Sequence, residues 1–270
     1  MRYNLSKKYL LIYILFLLIL FGGGTTPLLA GKTITIIDSD GYEVEIDLPV
    51  ERIVCISSSL NELLVALGAG EKIVGRDNWS DIPASLRCLE GVPIIASSSY
   101  RPQIEAILEL KPDIIIADTM LQDDVRKKFT SFGIPTVAER TSEASNLFNV
   151  INKLSLIVEN QEKGREIIQF ISKYRNLIKE RVSGLEEDEK TRIYWEWRGK
   201  YKTGSSRSTV QPRIDLVGAI NICADTEGKY PEVSSEYVIQ ENPELIIRME
   251  SRGLSVEKME RSRKEVRSRI

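Results

Sequence analysis

The chain has 270 residues, 37 basic and 39 acidic, and its formal net charge of −2 creates no strong field to attract nucleic acid or an anionic membrane surface. A hydrophobic share of 42% beside 28% charged residues belongs to an ordinary globular protein long enough to bury one large core or two modest ones. Histidine is absent, which excludes imidazole zinc sites and Ser-His or Cys-His catalysis.

The N-terminus places Arg2, Lys7 and Lys8 before an apolar run from Tyr9 to Phe21, then a Gly/Thr/Pro stretch leading to Ala30. That pattern predicts a secretory signal over residues 1–30, with an uncleaved membrane anchor as the alternative. Both place the rest of the chain outside the cytoplasm, with the mature protein free or tethered. Residues 33–48 alternate like a hairpin around Asp40-Gly41. A strand at Ile53–Ile56 and a helix ending at Gly68 follow, with Ser59 and Glu62 spaced for a capping box. Further strands are expected at Lys72–Gly75, Val92–Ile95 and Pro135–Ala138, with a helix over Gln122–Phe132. Alternation at this spacing indicates an α/β lobe with a largely parallel sheet over residues 31–140.

Residues 141–185 break the alternation and read as one long helix or two nearly continuous ones, a spacer able to join two lobes rigidly. A second α/β lobe occupies residues 186–270, with a strand at Arg192–Trp197, a helix at Gln211–Gly218 and a charged helix near 255–268. Each lobe contains one copy of a repeated unit. Arg101–Ile116 and Val233–Ile247 both carry a glutamate in the first turn of a short helix (Glu105, Glu236), a proline break, an acidic residue and an Ile-rich strand. Repetition of this unit suggests two similar lobes presenting one carboxylate each. Gly68-Ala69-Gly70 follows a helix rather than a strand, so it gives nucleotide binding little support. Cys55 reads as a small core residue, and a Cys88–Cys223 disulfide is conceivable but unsupported by spacing.

The motifs Glu51-Arg52-Ile53-Val54, Leu67-Gly68-Ala69-Gly70, Leu110-Lys111-Pro112-Asp113, Phe132-Gly133-Ile134-Pro135, Leu216–Asn221 and Val233–Glu236 occur in this order. Together they resemble the substrate-binding proteins of iron-siderophore and cobalamin ABC importers over roughly residues 33–250. The resemblance implies two Rossmann-like α/β lobes joined by a long rigid helix, with ligand in the cleft between them. It also implies that Glu105 and Glu236 dock on the permease dimer in the membrane. Family members continue past the second proline–strand unit with another strand and a closing helix, so the second lobe is expected to be incomplete.

Open α/β sheets hold ligands at the carboxyl ends of their strands. That rule points to Ser58, Ser59, Trp79, Tyr100 and Arg101 in the first lobe, and to Trp195, Trp197, Tyr201 and Arg207 in the second. For Trp195 and Trp197, which share one face of a strand, a place in the core is an equal alternative. Aromatic, serine and arginine groups suit a bulky ligand with an apolar body and polar oxygens. The resemblance implies a metal chelate, a ferric siderophore first and cobalamin second, with no protein cofactor and no metal held by side chains; lack of histidine argues against haem. The competing readings are a secreted α/β enzyme using Asp77, Asp118 or Glu196 as acid–base groups, and a shortened, non-transporting relic of a binding protein.

Overall fold

In the computed structural model, residues 31–80, 84–97, 101–143, 145–197, 199–250 and 255–269 are described. The expected signal at 1–30 lies outside them, as does Tyr100.

The first lobe is a five-stranded parallel sheet in the order β5-β4-β3-β6-β7. Its strands are β3 (Ile53–Cys55), β4 (Ile73–Asp77), β5 (Ile94–Ala96), β6 (Ile114–Asp118) and β7 (Thr136–Glu139). Central β3 and β6 are apolar without alternation because both of their faces are covered. Ile53, Cys55, Ile114 and Ile116 face one layer with Leu60 and Leu64 of α1 (Ser58–Ala66) and Val150 and Leu154 of α4 (Leu147–Ile157). Val54, Ile115 and Ala117 face the other, with Ile107 of α2 (Ile104–Glu109) and Val125 and Phe129 of α3 (Asp123–Ser131). An antiparallel hairpin, β1 (Lys32–Ile37) and β2 (Glu43–Leu48), is pinned to this lobe through buried Arg126. The Arg126 guanidinium reaches Asp38 at 2.6 Å and Asp40 at 3.0 Å.

The second lobe repeats the plan on a smaller scale. Its parallel sheet has the order β10-β8-β9, from β8 (Arg192–Glu196), β9 (Ile220–Asn221) and β10 (Leu245–Arg248). One face packs Ile193 on Val210 and on Ile214 of α6 (Gln211–Leu216); the other packs Tyr194 on Val238 of α7 (Ser235–Glu241). Helix α8 (Val256–Arg269) closes the described chain.

The repeated unit is also a repeated bonding pattern. Lys111 and Asn242, the residues before the two prolines, are both left-handed, with φ of 46° and 43°. After each proline the acidic side chain turns back to the start of the lobe's central strand. The Asp113 carboxylate accepts from Glu51 N and Arg52 N at 2.8 Å, and Glu244 accepts from Arg192 N at 2.9 Å. In return Arg52 donates to the carbonyls of Leu110 and Lys111, and Arg192 to the carbonyl of Glu241. The acid satisfies strand N–H groups and the arginine satisfies helix-end carbonyls, both of which otherwise lack partners.

The segment between the lobes forms two helices, α4 and α5 (Gln161–Val182), broken at Glu159, whose φ is 56°. Helix α4 belongs to the first core, and only α5 leads toward the second lobe. Its N-cap Asn160 accepts from Lys163 N and donates to Leu67 O, beside the glycine corner at Gly68. The other end meets the matching corner of the second lobe, where Gly218 has φ of 63°. A Cβ built there would stand 2.7 Å from Cβ of Val182.

Two sequence expectations are corrected. Ser59 and Glu62 do not form a capping box: the N-cap is Ser57, it makes no side-chain cap bond, and Ser59 Oγ instead pairs with Thr141 Oγ1 at 2.8 Å. The sheet brings Thr141 to this helix from a position too distant in sequence for local spacing to anticipate. Cys55, Cys88 and Cys223 are all free thiols, so the conceivable Cys88–Cys223 bridge is not formed.

Gly218→Ala should lower stability by about 2 kcal/mol, combining left-handed strain with overlap against Val182. Gly41→Ala carries similar strain at φ 87° with open space around it, and should cost less. Thermal melts of the two variants check the difference; equal losses would mean that the α5 contact is loose.

Candidate ligand cleft

Most of the expected residues lie at or shortly after the strand ends of each lobe. In the first, Ser58 and Ser59 open α1 after β3, both half-buried, and Arg101 is exposed after β5. Trp79 follows β4 and is 58% exposed, although its ring is held. Its indole N–H donates to Ser97 O at 3.0 Å, and its backbone N–H donates to the Asp77 carboxylate at 3.2 Å. Below it lies a buried polar network. Asn61 Nδ2 donates to Cys55 O and Ser80 Oγ, Ser80 Oγ donates to Asp77, and Arg76 Nη1 donates to the carbonyls of Asp77 and Ser80. Four buried polar side chains thus fix a loop whose product is one outward-facing indole, a rigid apolar platform.

In the second lobe the two tryptophans lie on the core side of the strand. Trp195 and Trp197 pack against Ile193, Val210 and Ile214. The indole nitrogen of Trp195 is buried without a hydrogen-bond partner among the described residues, and the side chain is partly buried against this core cluster. Trp197, at the strand end, stacks on Tyr230 with centroids 5.2 Å apart. Tyr201 is half-buried in the left-handed region, with φ of 58°, and Arg207 is exposed.

The ligand candidates from sequence omit the ends of β6 and β7, where Asp118 is offered only as an acid–base group. There Asp118 accepts from Met120 N, Arg140 Nε donates to Thr119 Oγ1 at 3.2 Å, and the Met120 side chain is largely exposed. The signal was present, since these residues follow two recognised strands at the same carboxyl edge. A concavity of about 770 Å³ opens beside α1, lined by Ser59, Leu63, Leu86, Thr141 and Leu147.

The three carboxylates of the enzyme reading have other occupations. Asp77 is tied into the Trp79 loop, Glu196 is fully buried against Arg269, and Asp118 is partly buried with its pKa raised, chiefly by desolvation. Glu105 and Glu236, by contrast, are exposed in the first turns of α2 and α7. Hydrogen bonds from its own backbone N–H and from Ser234 and Ser235 hold the Glu236 carboxyl below its usual pKa, so it stays ionised.

The family model described as periplasmic binding protein matches residues 53–268, through both lobes. The chain belongs to that family. A vitamin B12-binding protein of Vibrio parahaemolyticus is 27% identical over 201 residues, which span 73% of this chain and 70% of that one. Among solved structures, the molybdate periplasmic binding protein MolA of Haemophilus influenzae superposes with a TM-score of 0.68 at 23% identity, covering 80% of this chain and 73% of its own. The periplasmic vitamin B12-binding protein BtuF of Vibrio cholerae gives 0.63 at 24%, covering 82% and 84%. This membership makes the chain an extracytoplasmic substrate-binding protein of the ABC-importer class rather than an enzyme. No helix among the described residues is long and apolar enough to cross a membrane.

Asp118 offers a pH test. Burial raises its pKa, so folding favours the protonated form and stability falls as pH rises from the unfolded value through the raised folded one. Asp118→Asn should therefore raise the melting temperature at pH 7 and lose that advantage at acid pH. An effect independent of pH would show that the carboxylate is well compensated.

Proposed function

We propose that this protein captures a metal chelate between its lobes and delivers it to an ABC permease, docking through Glu105 and Glu236. The observation that carries the docking role is the repeated clasp. Each glutamate sits in the first turn of the helix that Arg52–Asp113 or Arg192–Glu244 ties to a central strand. A carboxylate there is favoured by the helix dipole, and two of them on separate lobes define an orientation for a partner carrying arginines.

The ligand surface favours a large, partly apolar molecule. Trp79 and Met120 offer exposed apolar area. Ser58, Ser59 and the amino end of α1 offer donors to carbonyl or anionic oxygens. Cobalamin stands ahead of a ferric siderophore in this reading, because the curated relatives are named for vitamin B12; the sequence alone favours the opposite order. The lobe boundaries at 140 and 185 and the export signal at 1–30 are part of the same proposal.

Cyanocobalamin and ferric siderophores titrated against residues 31–270 should quench tryptophan fluorescence and raise the melting temperature, the better ligand at lower concentration. A cooperative melt that answers to neither chelate contradicts the proposed ligand class. Separately, Glu105→Ala with Glu236→Ala should leave affinity within about twofold while reducing permease-coupled import by roughly tenfold or more. Unchanged import would remove both residues from docking.

A further inference from the structure

At the carboxyl end of β8, Glu196 is a fully buried carboxylate surrounded by donors. Tyr201 N donates to Oε1 at 2.8 Å. The guanidinium of Arg269, from the last turn of α8, donates to both oxygens, at 2.9 and 3.0 Å. Its carbon lies 4.9 Å from the centroid of the Tyr201 ring, and the Tyr201 hydroxyl donates to Arg269 O at 3.4 Å. Tyr194, two residues before Glu196 and so on the same strand face, is fully buried, and its hydroxyl has no hydrogen-bond partner among the described residues. A second cation, Arg248, reaches Glu196 only at 3.4 Å and is held by Glu250 at 2.7 Å.

Among the described residues, few other contacts hold helix α8. Val266 is its one buried residue among those described. Among the described residues, polar contacts add to it: Glu265 with Lys200 and Arg248, and Ser262 with Glu250. A helix with one buried apolar side chain gains little from packing, so its docking depends on the charge at its end.

We propose that the end of β8 carries a cation-binding subsite, built on Glu196 and Tyr201, in which Arg269 is the resident cation and the latch for α8. A carboxylate offering both oxygens to one planar cation, with an aromatic ring against it, is the chemistry that selects guanidinium groups and accepts primary ammonium ions less well. Once Arg269 withdraws, the buried carboxylate must find another donor set, because an uncompensated charge there is costly. The subsite then takes a guanidinium-bearing ligand or an external guanidinium ion. This inference does not depend on the transport reading, since it concerns what Glu196 binds and what keeps α8 in place.

The test uses the full chain and methylguanidinium chloride, against sodium chloride at equal ionic strength. Arg269→Ala should melt roughly 5 °C lower, and methylguanidinium should restore the loss saturably. The double variant Glu196→Gln with Arg269→Ala should show no such restoration. Absence of saturable rescue, or equal rescue in both variants, overturns the subsite. Hydrogen exchange covers the case in which Arg269→Ala does not fold. In Glu196→Gln the amides of α8 should lose protection while those of β8 and α7 keep theirs, and retained protection in α8 overturns the latch.

Discussion

Arg52 with Asp113, and Arg192 with Glu244, bind the first residues of each central strand to the end of the helix that precedes its neighbouring strand. Each clasp spans about fifty to sixty residues of sequence and settles three things together. It ends the helix at a left-handed residue, starts the next strand in register, and leaves the helix's first turn facing outward. The individual bonds are exposed or part-buried and contribute on the order of 1 kcal/mol each after solvent screening. Their value lies in geometry, because they fix where Glu105 and Glu236 stand relative to two separate cores.

The join between the lobes follows the same economy. Helix α5 is tied at one end to the corner at Gly68 through Asn160, and at the other it packs Val182 on the corner at Gly218. Both corners follow helices of the same kind, with Ala69 N bonded to Leu64 O and Ala219 N to Ile214 O. A 22-residue helix spans about 33 Å and bends little. Under the proposed function, lobe movement on ligand capture would be confined to small adjustments at the two corners, as two groups that dock together on one partner require.

Much of this was legible in the residues. Unbroken runs such as Ile114–Ala117 give buried parallel strands, and the recurrence of helix, proline, acid and strand announces two related lobes. The rule that ligands sit at strand ends points to Ser58, Ser59 and Trp79 as candidates, and applied to β6 and β7 it adds Met120 and Arg140. Long-range pairing was not legible. Nothing local says that Ser59 would spend its hydroxyl on Thr141 rather than on its own helix, or that the acid after each proline is a clasp. The side taken by Trp195 was undetermined for a related reason. Alternation shows that Trp195 and Trp197 share a face, while the position of α6 decides that this face is the core. Glu196, on the opposite face, gained its meaning only when α8 brought Arg269 to it.

Two clasped lobes and an anchored helix should hold Glu105 and Glu236 at a fixed separation. Spin labels at these two positions, with Cys88 replaced by serine and the buried Cys55 and Cys223 left in place, allow that separation to be measured by pulsed dipolar spectroscopy. The account predicts one narrow distance distribution that shifts only slightly when ligand is added. A broad or bimodal distribution in the free protein would contradict it.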